Sequence, residues 1–155
     1  MILLLKFKIG EEYYALNTDD VIEVIPVVSL RKIPGSVNFF SGIFDYRGTI
    51  VPVIDITQLT LGKPATIRLN TRIILTNFTH KDGQKSILGL IAEDMTDTID
   101  VNETAIQSTG IVSPNIPYLG PIIQMEDHFI QCIELSKLLS EELQKIFFLS
   151  SESKS

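Results

Sequence analysis

The sequence predicts an all-β chain closed by one short C-terminal helix, with the strands curled into two small barrels of about five strands each. Three observations predict it. Apolar residues alternate with period two from the first residues onward, turn-forming clusters recur at short intervals, and helical spacing of apolar residues occurs in one stretch near the C-terminus. Many short strands of this kind tend to curl, because closure removes exposed edges.

The elements follow in order. Leu3, Leu5, Phe7 and Ile9 fall on one face of an opening strand, with Leu4, Lys6 and Lys8 on the other. Gly10-Glu11-Glu12 reads as a turn, and Tyr13 to Leu16 returns as the hairpin partner. Thr18-Asp19-Asp20 reads as a short helical or turn segment. Val21 to Ile25 reads as a third strand, closed by Pro26. Val27 to Ile33 extends again and stops at Pro34-Gly35. Phe39 to Tyr46 and Thr49 to Ile56 are two arms around Arg47-Gly48, and Pro52 in the second arm implies an edge, a bulge or a strand start, since proline cannot donate to a ladder.

Thr57 to Gly62 is a helical turn with Asp55 as its cap, and Lys63 to Asn70 is a link. Arg72 to Phe78 and Ser86 to Ile91 form a hairpin around Asp82-Gly83. Asp94 to Val101 is strand-like, and Asn102 to Pro117 reads as a long loop broken by Gly110, Pro114 and Pro117. Tyr118 to Met125 and Phe129 to Leu135 flank a polar Glu126-Asp127-His128 turn. Leu138, Leu139, Leu143, Ile146 and Phe147 recur at helical spacing behind Ser136 or Ser140 as N-cap, and the end from Ser150 is expected to fray.

The two halves echo each other. Asp20 to Ile25 resembles Asp94 to Ile99, Phe40 to Ile43 resembles Leu119 to Ile122 loosely, and Val53 to Leu59 resembles Cys132 to Leu138, at spacings of roughly 74 to 79 residues. A barrel of about 70 residues is marginal alone, so the two should share a core and offer the cleft between them for binding.

Composition excludes several functions. A chain of 155 residues fits one domain or two small fused ones, and 45% hydrophobic content supports a core. The net charge of -6, with 13 scattered Lys and Arg, argues against nucleic acid. One cysteine, Cys132, allows no internal disulfide and reads as a small hydrophobe. No apolar run approaches the ~20 residues of a bilayer span, so direct membrane insertion is not expected. Met1 to Leu5 lacks the leader and cleavage site of a signal peptide, and the expected location is cytoplasmic. His80 and His128 are far apart, so no metal site is expected. No phosphate loop or nucleophile motif is present, and neither a cofactor nor a catalytic residue is assigned.

The most informative stretch runs from Gly42 to Ile56. Arg47 is the only cation in a run built for burial. It pairs with Asp45, Glu23 or Asp55 to pin the turn, presents its guanidinium to a partner carboxylate, or does both. Glu23 reads as a solvent-facing acid that could rim a groove. Ile22, Val24, Ile43, Leu90 and Ile99 read as core, with a subset open to an amphipathic partner helix. A hydrolase using Asp45 and Asp55 is a rival reading that nothing in the sequence recommends.

These pieces carry a resemblance. Gly10 to Leu16, Val21-x-Glu23-Val24-Ile25, Ile33-Pro34, Phe40-x-Gly42-Ile43, Arg47-Gly48-x-Ile50 to Ile56, Leu88 to Glu93 and Ile133 to Leu139 together resemble the CheW-like chemotaxis coupling family. The resemblance implies one CheW-like domain over 1–155, made of two intertwined five-stranded barrels. Sub-barrels of 10–68 and 69–140, a shared N-terminal strand (2–9) and a C-terminal helix (136–148) are expected. It implies a non-enzymatic adaptor joining the cytoplasmic signalling tip of a chemoreceptor to the regulatory domain of a CheA-type histidine kinase, associated with membrane receptor clusters through its partners. The residues expected to bind receptor or kinase are Glu23, Arg47, Gly48, Asp45, Tyr46, Val24 and Ile43. The family pattern carries an Asn-Leu or similar pair before Arg-Gly, where this chain has Asp45-Tyr46; that departure admits a non-flagellar pathway as an alternative.

Overall fold

A computed structural model describes residues 1–107 and 116–148. The described strands are β1 (Ile2–Ile9), β2 (Glu12–Asn17), β3 (Val21–Pro26), β4 (Phe40–Tyr46), β5 (Thr49–Asp55), β6 (Arg72–Thr79), β7 (Lys85–Ala92), β8 (Thr98–Val101), β9 (Ile106–Gln107), β10 (Leu119–Gln124) and β11 (Phe129–Ile133). Two short helices, α1 (Ile56–Leu61) and α2 (Glu141–Phe147), complete it with three 3-10 turns. The protein is mostly β with a short C-terminal helix.

The strands form two sheets, ordered β8-β1-β2-β11-β10-β9 and β3-β6-β7-β5-β4. Each contains one parallel pair, β2 with β11 and β5 with β7, among antiparallel neighbours. Read in order, β8-β1-β2-β11-β10 repeats the pairing of β3-β6-β7-β5-β4 step for step. The internal echo therefore has a topological counterpart: β3 corresponds to β8, β4 to β10 and β5 to β11. The leading hairpins have changed places. Hairpin β6–β7 completes the sheet of β3, β4 and β5, and hairpin β1–β2 completes the sheet of β8, β10 and β11.

Three apolar clusters hold this arrangement. Leu5, Phe7, Ile9 and Leu16 of one sheet meet Ile54, Ile74, Phe78, Leu88 and Leu90 of the other in a shared core. Leu4, Ala15, Val101, Ile123 and Ile130 form a second cluster on the six-stranded sheet. Val51, Val53, Ile73, Leu75 and Ile91 form a third on the five-stranded sheet. Side chains of this size contribute ~1.5–3 kcal/mol each when fully buried. Strand β1 lies between two cores, which explains its altered pattern. Leu5, Phe7 and Ile9 are buried as expected, but Leu3 is exposed and Leu4 is buried in the second cluster.

Local signals act as the sequence implies at several points. Asn17 caps the 3-10 turn Thr18–Asp20, Asp55 caps α1, and Gly62 ends α1 in the left-handed conformation at φ 78. Pro52 sits inside β5, one residue before the ladder to β7 begins at Val53, so its missing N–H costs no pairing on that side. Ser140 caps α2 by accepting from the Leu143 amide.

Other expectations are corrected. The helix expected over 136–148 is two pieces, a 3-10 turn at Leu135–Lys137 and α2, because Ser140 restarts the helix. Val27 to Ile33 forms no ladder; Arg31 makes a single bridge to Ile43. The run from Asp94 is strand only from Thr98, after a left-handed Asp94 at φ 48. The segment expected as a long loop contains the 3-10 turn Glu103–Ala105 and β9; residues 108–115, like those from 149 onward, lie outside the described residues.

Candidate functional site: the Arg47 hairpin

Cross-strand pairing of Tyr46 with Thr49 leaves a two-residue connection, Arg47-Gly48, between β4 and β5. Both residues have positive φ, 51 and 89, the signature of a type I′ turn whose twist matches the strands it joins. Glycine adopts this freely. For arginine the left-handed region costs roughly 1–2 kcal/mol. The turn is pinned from the preceding residue, where the Gly48 amide donates to Asp45 Oδ1 at 2.7 Å. Asp45 thus has a turn-fixing role while remaining exposed.

Glu23 lies on β3 and Tyr46 on β4, the two edge strands of the five-stranded sheet. The Tyr46 hydroxyl nevertheless donates to Glu23 Oε1. Arg47 Nη2 reaches the same oxygen at 3.5 Å. The sheet is therefore curled far enough for its edges to meet through side chains. Small residues permit the curl. Glu23, Leu75, Gly89, Val53 and Gly42 form one row across all five strands. A Cβ on Gly89 would lie 2.9 Å from Val53 Cγ2, and one on Gly42 would lie 2.6 Å from the Arg31 carbonyl oxygen.

The cluster is graded from core to solvent. The Tyr46 ring packs on the third apolar cluster and lies edge-on to Phe44 at 6.3 Å. The Arg47 guanidinium stands over that ring, 5.0 Å from its centroid. Glu23's side chain is 39% exposed and Arg47's is 76% exposed. The hydrogen bond to Glu23, with burial second, raises the Tyr46 pKa above its ordinary value, and nearby Arg47 pulls the other way. Arg47 thus does both things the sequence left open: it touches Glu23 and it faces solvent.

The remaining expected residues do not join this cluster. Val24 belongs to the register row of Ile74 and Leu90, on the opposite face of the sheet from Glu23, and is 37% exposed. Ile43 is half-buried on β4, where it exchanges backbone hydrogen bonds with Arg31 of 2.8 and 2.9 Å. Of the other apolar candidates, Ile22 is exposed, Ile99 half-buried and Leu90 fully buried in the shared core. Asp45 and Asp55 are engaged separately. The buried Asp55 carboxylate accepts from the backbone amides of Thr57, Gln58 and Ala65.

His80 contacts Ser86, while His128 contacts Asp127 and Lys6. Among the described residues no group of three His, Cys, Asp or Glu side chains converges as a metal site, and no helix is long and apolar enough to cross a membrane. The sequence reading missed the tyrosine's grip on Glu23. Only the internal echo, which implies curled units, hinted that two edge strands would meet.

The family model described as CheW-like domain matches residues 3–143. The chain is 28% identical over 146 residues to the chemotaxis protein CheW of Treponema pallidum, covering 92% of this chain and 85% of that protein. It is 24% identical over 138 residues to the chemotaxis protein CheW of Bacillus subtilis, covering 88% and 85%. Among solved structures, the scaffolding protein TtCheW of Thermoanaerobacter tengcongensis superposes with a TM-score of 0.76 at 31% identity, over 90% of this chain and 88% of that one. The paired sheets and the short C-terminal helix match that structure: the chain belongs to the CheW-like family of chemotaxis coupling proteins.

Proposed function

We propose that this protein is a non-enzymatic adaptor that couples the signalling tip of a chemoreceptor to the regulatory domain of a CheA-type histidine kinase, acting in the cytoplasm at receptor clusters. Membership of the CheW-like family supports the coupling role. The observation that carries the site is Arg47, held in a left-handed turn with its side chain 76% exposed. Backbone strain in a bulky residue is retained where the side chain has work to do at the surface.

In this reading Arg47 supplies a rigidly placed guanidinium for a partner carboxylate, and Gly48 permits the turn. Asp45, Tyr46 and Glu23 fix its position, and the register of docking depends on them. Val24, exposed on the sheet's other face, and half-buried Ile43 contribute apolar contact at separate places. Contacts of this kind suit a modest, reversible interface at the small end of the size range, below about 1,200 Å².

The test mixes the purified protein with a receptor-tip fragment and with a kinase regulatory domain, each by calorimetry. Binding to at least one is expected, and Arg47→Glu should weaken it by about tenfold or more with the melting temperature nearly unchanged. Failure to bind either partner would remove the adaptor reading. A large loss of stability in Arg47→Glu would show a structural staple instead.

A further inference from the structure

Glu23 Oε1 is claimed twice, by the Tyr46 hydroxyl and by Arg47 Nη2. The claims are unequal. The phenol donates from a ring packed against the third apolar cluster, while the guanidinium sits at 3.5 Å with most of its surface in water. A lone carboxylate beside an arginine would normally draw it into a close, often bidentate pair. That collapse has not happened here. Among the described residues Arg47 has no other ion pair, and its remaining N–H groups are left for a partner.

We propose that Tyr46 is a positioning residue that occupies the Glu23 carboxylate and so keeps Arg47 available for docking. The inference rests on the adaptor reading. It adds that Glu23 acts from within the protein, on the residue that meets the partner. Three features support it. Tyr46 and Glu23 sit on opposite edge strands, so their bond also fixes the distance between β3 and β4 at the turn. The guanidinium rests over the tyrosine ring, which biases its direction without using its N–H donors. The phenol, ordinarily ionising only near about pH 10, is protonated and therefore donating at neutral pH.

Removing the hydroxyl alone tests this, because Tyr46→Phe preserves the packed ring. In that variant Glu23 loses its donor and turns to Arg47. Affinity for whichever partner fragment binds the wild type should fall about three- to tenfold, a loss of the size expected for one ordinary hydrogen bond. Adding Glu23→Gln to Tyr46→Phe removes the competing charge and should restore affinity to within about twofold. Glu23→Gln alone should lose less affinity than Tyr46→Phe, since an amide oxygen still accepts from the phenol and leaves Arg47 free. On an Arg47→Ala background, Tyr46→Phe should have no further effect.

A merely structural tyrosine would not give the rescue. A tyrosine 13Cζ titration gives a second readout: the delayed ionisation of Tyr46 should lessen in Glu23→Gln. If Tyr46→Phe binds normally while Arg47→Ala does not, the positioning role is wrong and the docking reading stands. If Arg47→Ala binds normally, the docking reading itself falls. If Glu23→Gln weakens binding as much as Arg47→Ala, Glu23 contacts the partner directly and the proposal is overturned.

Discussion

Asp55 and Ala65, ten residues apart, are joined by a 2.8 Å hydrogen bond from the Ala65 amide to Asp55 Oδ2. The other carboxylate oxygen takes the Thr57 and Gln58 amides at 3.0 and 3.1 Å. One buried side chain thereby starts α1 and ties down the loop that follows it. Asp55→Ala would orphan three N–H groups and should cost about 2–4 kcal/mol of unfolding free energy in urea titration. Asp55→Asn should cost less, since it can still accept. A loss below about 0.5 kcal/mol for the alanine variant would show that water replaces the carboxylate at no cost.

Gly42 and Gly48 both have positive φ, 138 and 89, but only Gly42 is crowded, by the Arg31 carbonyl. Nothing lies within 4 Å of a Cβ on Gly48. Gly48→Ala should cost only the backbone term, about 1–2 kcal/mol. Gly42→Ala should cost more and should expose the Arg31 and Ile43 amides to hydrogen exchange. Equal costs for the two would mean that the contact with Arg31 yields without resistance.

Arg47→Gly relieves the left-handed strain but gives the unfolded chain more freedom, and the two effects partly offset. The melting temperature should hold or rise slightly while partner binding is lost. A clear drop in melting temperature would identify the Glu23 contact as a stabilising one.

Phe148 is buried against Phe78, with ring centroids 5.8 Å apart, and Phe147 stacks on Phe40 at 4.9 Å. These rings, one on the last residue of α2 and one just after it, seal one margin of the shared core. Phe148→Ala should therefore cost about 3 kcal/mol by chemical denaturation, near the lower end for a buried phenylalanine. A loss under 1 kcal/mol would show that the C-terminal segment is dispensable packing.

Tyr14 and Tyr118 have pKa values raised chiefly by burial, and Tyr46 by its bond to Glu23. The folded protein holds these protons more tightly than the unfolded chain, whose tyrosines ionise near about 10. The associated stability is complete below about pH 10 and is lost as pH rises through the raised values. Urea midpoints should therefore fall as pH rises above about 10, in step with the 295 nm absorbance of tyrosinate. Midpoints that stay level through that range would contradict the assignment.

Legibility in the sequence followed locality. The hairpin turns at Gly10, Arg47-Gly48 and Asp82-Gly83, and the caps at Asp55 and Ser140, are set by neighbours within a few residues, so pattern alone finds them. The break between Leu135–Lys137 and α2 was hidden because Leu138, Leu139 and Leu143 keep one apolar rhythm across it. At the candidate site the turn was readable, but the meeting of Glu23 with Tyr46 was not. That contact joins residues on the two edge strands and depends on the curl of the whole five-stranded sheet rather than on anything near Glu23 in the sequence.

The traded hairpins impose an order on biosynthesis. Hairpin β1–β2 leaves the ribosome early, yet its neighbours β8 and β11 are translated only after the whole five-stranded sheet is available. Leu4, Ala15 and the edges of that hairpin must stay unsatisfied until then, a window in which two nascent chains could pair with each other instead of with themselves.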